Sequence, residues 1–501
     1  MDVTAPTRYG RVRGRDSGGI AGFLGIPYAA PPFGPRRMRP PRPPEPWTGE
    51  RDATEYGDSA PQPGYVPPMS DLFPNLESPG DDCLNLNIWT PAPGRTGGGL
   101  PVMVWIHGGG FRYGAGSLPL YEGGRLAADG TVCVTLNHRL GPEGFLWLPD
   151  GTANLGLLDV IAALEWVHDN IAAFGGDPGN VTVFGESSGA ISVVTLMAMP
   201  RARGLFHRAI AQSGAGHHVH TEDVARRVTA RLAALAGVEP TREALTAAPP
   251  QRLIDANAAL GKELSGDRDR AVWGEAAGGV LTLLPVVDGA TLPARPVDAI
   301  AAGSGADVDL LIGTNADEFR FFLVPLGLQN LITDEVLGQL IAGCGLADEP
   351  GLATYRAARP GATPGDLLSA ALTDYAYRVP ALRLAEGRAA HGADTHVYEF
   401  AWRTPALDGT LGACHAAEIG FVFGNLGCGL TGETAPGELS DQMRAAWTAF
   451  ARDGRPGTAG GLLPEWPAYG IRRSVMRLGD GPPMVHHDPA AAERRVWEGI
   501  R

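Results

Sequence analysis

Lysine is nearly missing from this chain: Lys262 is the only one, and every other basic residue is arginine. The chain is also short of positive charge overall, with 41 Lys and Arg against 55 Asp and Glu and a formal net charge of −14. No basic stripe is present to meet a phosphate backbone, which excludes nucleic acid as the expected partner. The arginine bias goes with richness in Ala, Gly and Pro, reads as coding bias, and carries no function. Long apolar runs are missing too, and none approaches the roughly 18 residues that a bilayer span needs. Met1-Asp2-Val3-Thr4-Ala5-Pro6 has neither a basic n-region nor an apolar h-region, so a cytoplasmic location is expected. Cysteines are few, odd in number and scattered: Cys83, Cys133, Cys344, Cys414 and Cys428. They show no metal-ligand spacing and are expected to be reduced, as that compartment would keep them.

What is present is an ordinary globular composition, 44% hydrophobic and 19% charged over 501 residues. Length alone suggests two to four domains. The pattern argues instead for one domain over 1–501, because strands and helices alternate from residue 84 onward without an internal repeat. Leu84 to Trp89 alternates with period two and reads as a half-buried strand. Leu100 to Ile106 and Thr131 to Leu136 are the continuous apolar runs of strands covered on both faces. Asn154 to Ala173 has Leu157, Leu158, Ile161, Leu164, Val167 and Ile171 at helical spacing. Further strands are expected at 12, 21–26, 181–184, 207–212, 309–313 and 397–401, and helices over 221–262, 328–392 and 441–452. This is the signature of an α/β fold with a large, mostly parallel sheet flanked by helices and helical insertions. Residues 60–80 lack periodicity but carry Tyr65, Val66, Met69, Leu72 and Phe73, as a surface loop covering something would.

Chemistry enters at Gly185-Glu186-Ser187-Ser188-Gly189, directly after Val181-Thr182-Val183-Phe184. A Gly-x-Ser-x-Gly segment between strand and helix is the form of a nucleophile elbow, with Ser187 lifted out on a strained turn. In a chain with 70 glycines the motif needs partners. A serine hydroxyl needs a histidine to take its proton, an acid to orient that histidine, and donors for the oxyanion. His107-Gly108-Gly109-Gly110-Phe111 follows a buried strand and has the glycine-loop form of an oxyanion hole, with the N–H of Ser188 as a further donor. His107 reads as a brace of that loop. Leu310 to Phe319 runs from a strand into a polar loop, where Asp317 and Glu318 compete equally as the acid. His415, on a loop ahead of Glu418 and Phe421, gives the chain order serine, acid, histidine. His217, His218 and His220 crowd together without a further ligand set, so no metal and no cofactor is expected there.

With these motifs the chain resembles the type-B carboxylesterases, the esterase/lipase family that includes cholinesterases and the non-catalytic neuroligins. The resemblance runs over almost the whole length: Phe23 to Ala29 with Pro31-Pro32, Asp81 to Trp89, Asn137-His138-Arg139, Gly144-Phe145 and Phe174 to Pro178. It continues through the elbow, Gln212-Ser213-Gly214, Pro285 to Gly289, the acid loop, the His415 loop and Trp466-Pro467 with Tyr469. It implies an α/β-hydrolase fold, Ser187, Glu318 and His415 as the triad, and Gly109, Gly110 and Ser188 as oxyanion donors. It further implies acyl-pocket residues after Gly214, so His217, His218 or His220 is expected to face the acyl group; Phe111 is also expected to line the pocket.

The departures are as informative. The residue after the nucleophile is Ser188 where the family usually has Ala, which leaves its backbone donor intact. No cysteine precedes Cys83, so the disulfide of secreted members cannot form. The 60–80 loop has no tryptophan, and so no choline-stacking site of the cholinesterase kind. Arg37 and Asp81 resemble a structural ion pair. The implied activity is serine carboxylesterase, acting on a small-molecule ester as a monomer or homodimer. Cleavage of an amide, carbamate, lactone or thioester by the same triad, or a non-catalytic binding role, are the alternatives.

Overall fold

Runs of β-branched and aliphatic residues set the strands, and their burial sets the layers. The computed structural model describes residues 1–75, 79–95, 99–346, 349–427 and 429–500, so Cys428 lies outside the described residues. The chain gathers into two units, one of Met1–Gly64, Asn75–Ile210 and Gly216–Ile300, the other of Tyr65–Pro74, Ala211–Ala215 and Ala301–Arg501. No helix among the described residues is long and apolar enough to cross a membrane.

The first unit opens with β1 (Asp2–Thr7), β2 (Gly10–Ser17) and β3 (Ile20–Pro27), with β4 (Glu50–Asp52) beside β2. These continue through β5 (Asn85–Thr90) to β7 (Val132–Leu136) as antiparallel neighbours. The sense then changes: β7 pairs in parallel with β6 (Leu100–Ile106), which pairs in parallel with β8 (Gly176–Glu186). Chain from β9 (Arg208–Gln212) is divided between the units, its first three residues belonging to the first. A small parallel pair, β10 (His220–Thr221) with β11 (Val286–Val287), completes this unit.

Strand β5 departs from the half-buried expectation, since all six of its residues are buried. Its polar members are tolerated because they are bonded, as buried amides must be. Asn85 Nδ2 donates to the Asp58 carbonyl at 2.8 Å, and Asn87 Oδ1 accepts from Gly25 N at 2.9 Å. The helix expected over Asn154 to Ala173 changes character before its end. It runs over Leu155–Asn170, tightens into a 3-10 turn at Ile171–Phe174, and stops at Gly175 with φ 83°. Leu157, Ile161, Leu164 and Val167 are completely buried on one face, each contributing roughly 1.5–3 kcal/mol.

The expected Arg37–Asp81 pair is not formed. Asp81 is exposed, and Arg37 Nη2 instead meets Glu143 Oε1 at 2.5 Å, both side chains buried. Arg37 also donates to the carbonyls of Thr246 and Ala248. The physical reason is satisfaction: a buried guanidinium keeps its place only with a carboxylate and acceptors for its remaining N–H groups. A second buried pair, Arg139–Asp159 at 2.7 Å with both side chains fully buried, pins the Asn137-His138-Arg139 segment to the helix.

In the second unit β12 (Asp309–Asn315), β13 (Thr395–Phe400) and β14 (Ser474–Leu478) are parallel, and β15 (Met484–His487) closes antiparallel on β14. The Ala-rich stretch predicted as helical resolves into Asp334–Gly343, Glu349–Ala358, Pro364–Thr373 and Val379–Ala389, and the late helix is Gly437–Asp453. Their core gathers Leu337, Tyr355, Leu367 and Trp497. Part of the aperiodic loop belongs here: the Tyr65 and Phe73 rings lie 5.9 Å apart, and Phe73 lies 5.9 Å from Phe321.

Candidate active site

Strand β8 and the helix Ser188–Ala198 meet at Ser187, whose φ of 55° and ψ of −122° are strained for a residue with a side chain. The flanking glycines explain how the turn closes. A Cβ on Gly185 would stand 2.6 Å from the Ile106 carbonyl oxygen, and one on Gly189 only 2.0 Å from it. Any larger residue would force the elbow away from the end of β6. The glycine loop leaves that same strand end and lies against the elbow. A Cβ on Gly108 would meet Glu186 Oε2 at 2.5 Å and Ser187 Cβ at 3.3 Å. Gly109 and Gly110 have φ of 112° and 62°, a left-handed path that only glycine takes freely. The Gly109 carbonyl accepts from Arg112 and Tyr113 at 3.1 and 3.0 Å. The N–H groups of Gly109 and Gly110 donate to nothing among the described residues.

His107 braces this loop. Its Nδ1 lies 2.7 Å from the Gly108 carbonyl, and its ring stacks on His138 with centroids 4.8 Å apart. Burial first, and then the His138 ring, push its pKa down to about 3, so the imidazole is neutral across physiological pH. Phe111 is 1% exposed and packs on Phe145 at 4.5 Å. His217 and His220 are buried, whereas His218 keeps partial exposure. His220 Nε2 lies 3.1 Å from the Thr282 carbonyl, and burial lowers its pKa to about 4. Among the described residues no group of three or more His, Cys, Asp or Glu could hold a metal.

In the second unit the two acids have different partners. Glu318 is completely buried, and its Oε2 meets His415 Nδ1 at 2.6 Å. Its Oε1 accepts from Asn315 N at 2.8 Å, so the strand end itself orients the carboxylate. Asp317 points elsewhere. Its Oδ2 accepts from Ala413 N at 3.0 Å and meets Arg403 at 3.3 Å, steadying the loop that carries His415.

Around this dyad stand residues that motif reading passed over. Asn315 Nδ2 donates to the Cys414 carbonyl and to Glu418 Oε2, both at 2.7 Å. Glu418 Oε1 accepts from Gln212 Nε2 at 3.1 Å, and Gln212 Oε1 accepts from Trp447 Nε1 at 3.0 Å. Burial, then the neighbouring Glu318 charge, raises the Glu418 pKa. The spacing His415-x-x-Glu418 and the Gln212-Ser213-Gly214 segment were the signals available in one dimension, and neither points to the other. Three rings also gather on the His415 imidazole: Tyr377 at 5.0 Å, Phe322 at 5.3 Å and Phe321 at 5.8 Å. All three keep partial exposure.

Comparison with known proteins agrees over nearly the whole chain. The model of the carboxylesterase family matches residues 2–341 and 352–497. Para-nitrobenzyl esterase of Bacillus subtilis (strain 168) is 38% identical, over 98% of this chain and 97% of its own. Phenmedipham hydrolase of Pseudarthrobacter oxydans is 37% identical, over 93% and 92%. The crystal structure of a Geobacillus stearothermophilus carboxylesterase superposes with a TM-score of 0.86 at 37% identity, covering 99% of both chains. The chain therefore belongs to the carboxylesterase family and is a carboxylic-ester hydrolase of the α/β-hydrolase fold.

Proposed function

We propose that ester hydrolysis runs through an acyl-enzyme on Ser187, with His415 as base and acid, Glu318 as its orienting carboxylate, and Gly109, Gly110 and Ser188 as oxyanion donors. The observation that carries this reading is the 2.6 Å contact between Glu318 Oε2 and His415 Nδ1. A carboxylate on Nδ1 holds the proton there and leaves Nε2 to accept. His415 takes the Ser187 proton as Oγ attacks the ester carbonyl, and the backbone N–H groups hold the oxygen as it gains charge. The imidazolium, stabilised by Glu318, then protonates the departing alkoxide, and water repeats the sequence to release the acid.

Because the leaving oxygen receives its proton from His415, the alcohol moiety belongs beside the imidazole, against Phe321, Phe322 and Tyr377. Aromatic alcohols such as benzyl suit such rings, and one relative is named for a nitrobenzyl ester. The acyl side is read at the 217–220 segment with Phe111, where His218 is the histidine with partial exposure. The chain is read as one domain, acting as a monomer or homodimer without nucleic acid. A cytoplasmic location is supported by the free thiols of Cys83, Cys133 and Cys414.

A fluorophosphonate probe should label Ser187 stoichiometrically and abolish turnover; an unlabelled Ser187 in active protein would remove the mechanism. Short p-nitrophenyl esters should be cleaved faster than the matched anilides, and the reverse order would favour the amide alternative.

A further inference from the structure

The first unit carries a second concavity, a cleft of about 370 Å³, that the proposed chemistry does not use. Its walls come from the turn between β1 and β2, which supplies Arg8 and Tyr9, from Pro41-Arg42-Pro43, and from the last turns of the helix Leu155–Asn170. Three guanidiniums line it, and two are already neutralised. Arg8 Nη1 meets Asp169 Oδ2 at 2.7 Å, and Arg201 Nη2 meets Glu165 Oε1 at 3.1 Å. Arg42 is exposed and forms no ion pair among the described residues. The lining thus holds one surplus positive charge, on a molecule whose net charge is −14.

The rest of the wall mixes His168, Tyr9 and Tyr28 with apolar surface that includes Pro41, Pro43 and Trp166. Trp166, 3% exposed, lines the cleft, and its indole N–H is buried without an acceptor. Pro41 and Pro43 restrict the backbone on either side of Arg42. Arg8 is held at its backbone too, donating from its N to Asn170 Oδ1 at 2.7 Å. One unpaired guanidinium against tryptophan and proline surfaces selects for a single negative charge on an apolar body. A cation would find the two carboxylates already taken, and a dianion would exceed the surplus charge.

We propose that this cleft binds a small monocarboxylate with an aromatic or branched apolar body, its carboxylate on Arg42 and its body against Trp166 and the two prolines. Carboxylic acids are also the class that ester hydrolysis releases.

The test uses benzoate as probe and the full chain, titrated calorimetrically before and after fluorophosphonate treatment. The expected result is one benzoate per chain that persists after treatment. Arg42→Ala should weaken it at least tenfold while leaving the melting temperature and ester turnover unchanged, and neutral benzamide should not bind. Absence of saturable benzoate binding, equal affinity in Arg42→Ala, or equal binding of benzamide would each overturn the proposal. Failure of the probe to label Ser187 would count against the acyl-enzyme mechanism alone, because the Arg42→Ala comparison on untreated protein still decides the cleft.

Discussion

The elbow with its glycine loop and the Glu318–His415 dyad are built on opposite principles. The elbow is specified by the absence of atoms. Gly185, Gly189, Gly108 and Gly109 each sit where a Cβ would strike backbone or a carboxylate at 2.0–2.6 Å, and Ser187 and Phe111 take positive φ of 55° and 60° despite their side chains. The dyad is specified by the presence of partners. Each oxygen of the buried Glu318 has its own donor, and the same strand end reaches Glu418 and Cys414 through Asn315. A methyl group should therefore break the first, and an isosteric loss of charge should break the second.

The largest effect is expected from Glu318→Gln. The amide preserves shape but can donate to Nδ1, which puts the imidazole proton on Nε2, where it cannot accept from the serine. Loss of the analogous charge in serine-protease triads lowers kcat by about 10,000-fold, and a fall of at least about 1,000-fold is expected here with the melting temperature little changed. Steady-state kinetics with p-nitrophenyl acetate decide it; a tenfold effect or less would mean that another acid orients His415. Gly109→Ala comes next. Its Cβ would lie 2.2 Å from the Tyr113 carbonyl oxygen at a φ of 112°, so the loop must move and carry with it the N–H proposed as an oxyanion donor. Loss of one oxyanion donor costs about 100- to 1,000-fold in kcat. Gly18→Ala, at φ 65° with nothing within 4 Å, is the matched control: it pays the left-handed backbone cost of about 1–2 kcal/mol and should leave turnover intact.

The same contrast explains what could be read in one dimension. Steric specification is local, so Gly185 to Gly189 and His107 to Gly110 announced themselves as contiguous motifs, and the apolar runs at 100–106 and 131–136 marked β6 and β7. Partner-based specification is distributed. Glu418 and Gln212 are bonded across 206 positions, and neither residue type at its place predicts the other. Asp317 and Glu318 were equivalent by pattern alone, and the resemblance to the family singled out Glu318; in the structure Asn315 N meets Glu318 Oε1 while Asp317 faces Ala413. The Arg37–Asp81 expectation failed for the same reason: Arg37 takes Glu143, 106 positions away, because both are buried and Asp81 is not. β5 looked half-exposed because its asparagines are polar, while the groups that satisfy them come from Asp58, Gly25 and Thr135.

Glu418→Gln probes the distributed network at smaller amplitude. Glu418 accepts from both Asn315 Nδ2 and Gln212 Nε2, and an amide can accept only one of them through its single oxygen. Leaving a buried donor unpaired costs about 1–3 kcal/mol. The pH dependence gives the sign. Because the folded pKa of Glu418 lies above its ordinary value, the native state holds that proton where the unfolded chain has released it. Its contribution is fully present below the unfolded pKa and is lost as pH rises through the folded one. The stability gap between wild type and Glu418→Gln should accordingly be widest in acid and narrow as pH rises, as thermal melts from pH 4 upward would show. A gap that widens with pH would reverse the assignment.

The smallest effect belongs to Asp317→Asn, which isolates the acid next door. Asp317 is partly exposed, with 27% of its side chain accessible, and pairs with Arg403 and Arg320 at 3.3 and 3.6 Å. Exposed pairs of this kind contribute about 0–1 kcal/mol. What matters more is Oδ2, which accepts from Ala413 N two residues before His415. An asparagine can still offer one oxygen there, so the loop keeps its anchor and the Glu318–His415 contact is untouched. Turnover should fall by no more than about fivefold, since the change removes at most about 1 kcal/mol at a screened site. Asp317→Ala removes the acceptor as well and should lower kcat further without altering the pH profile. Equal, thousand-fold losses in Asp317→Asn and Glu318→Gln would show that the two acids act as one unit and that the contrast between a braced loop and an oriented base does not hold.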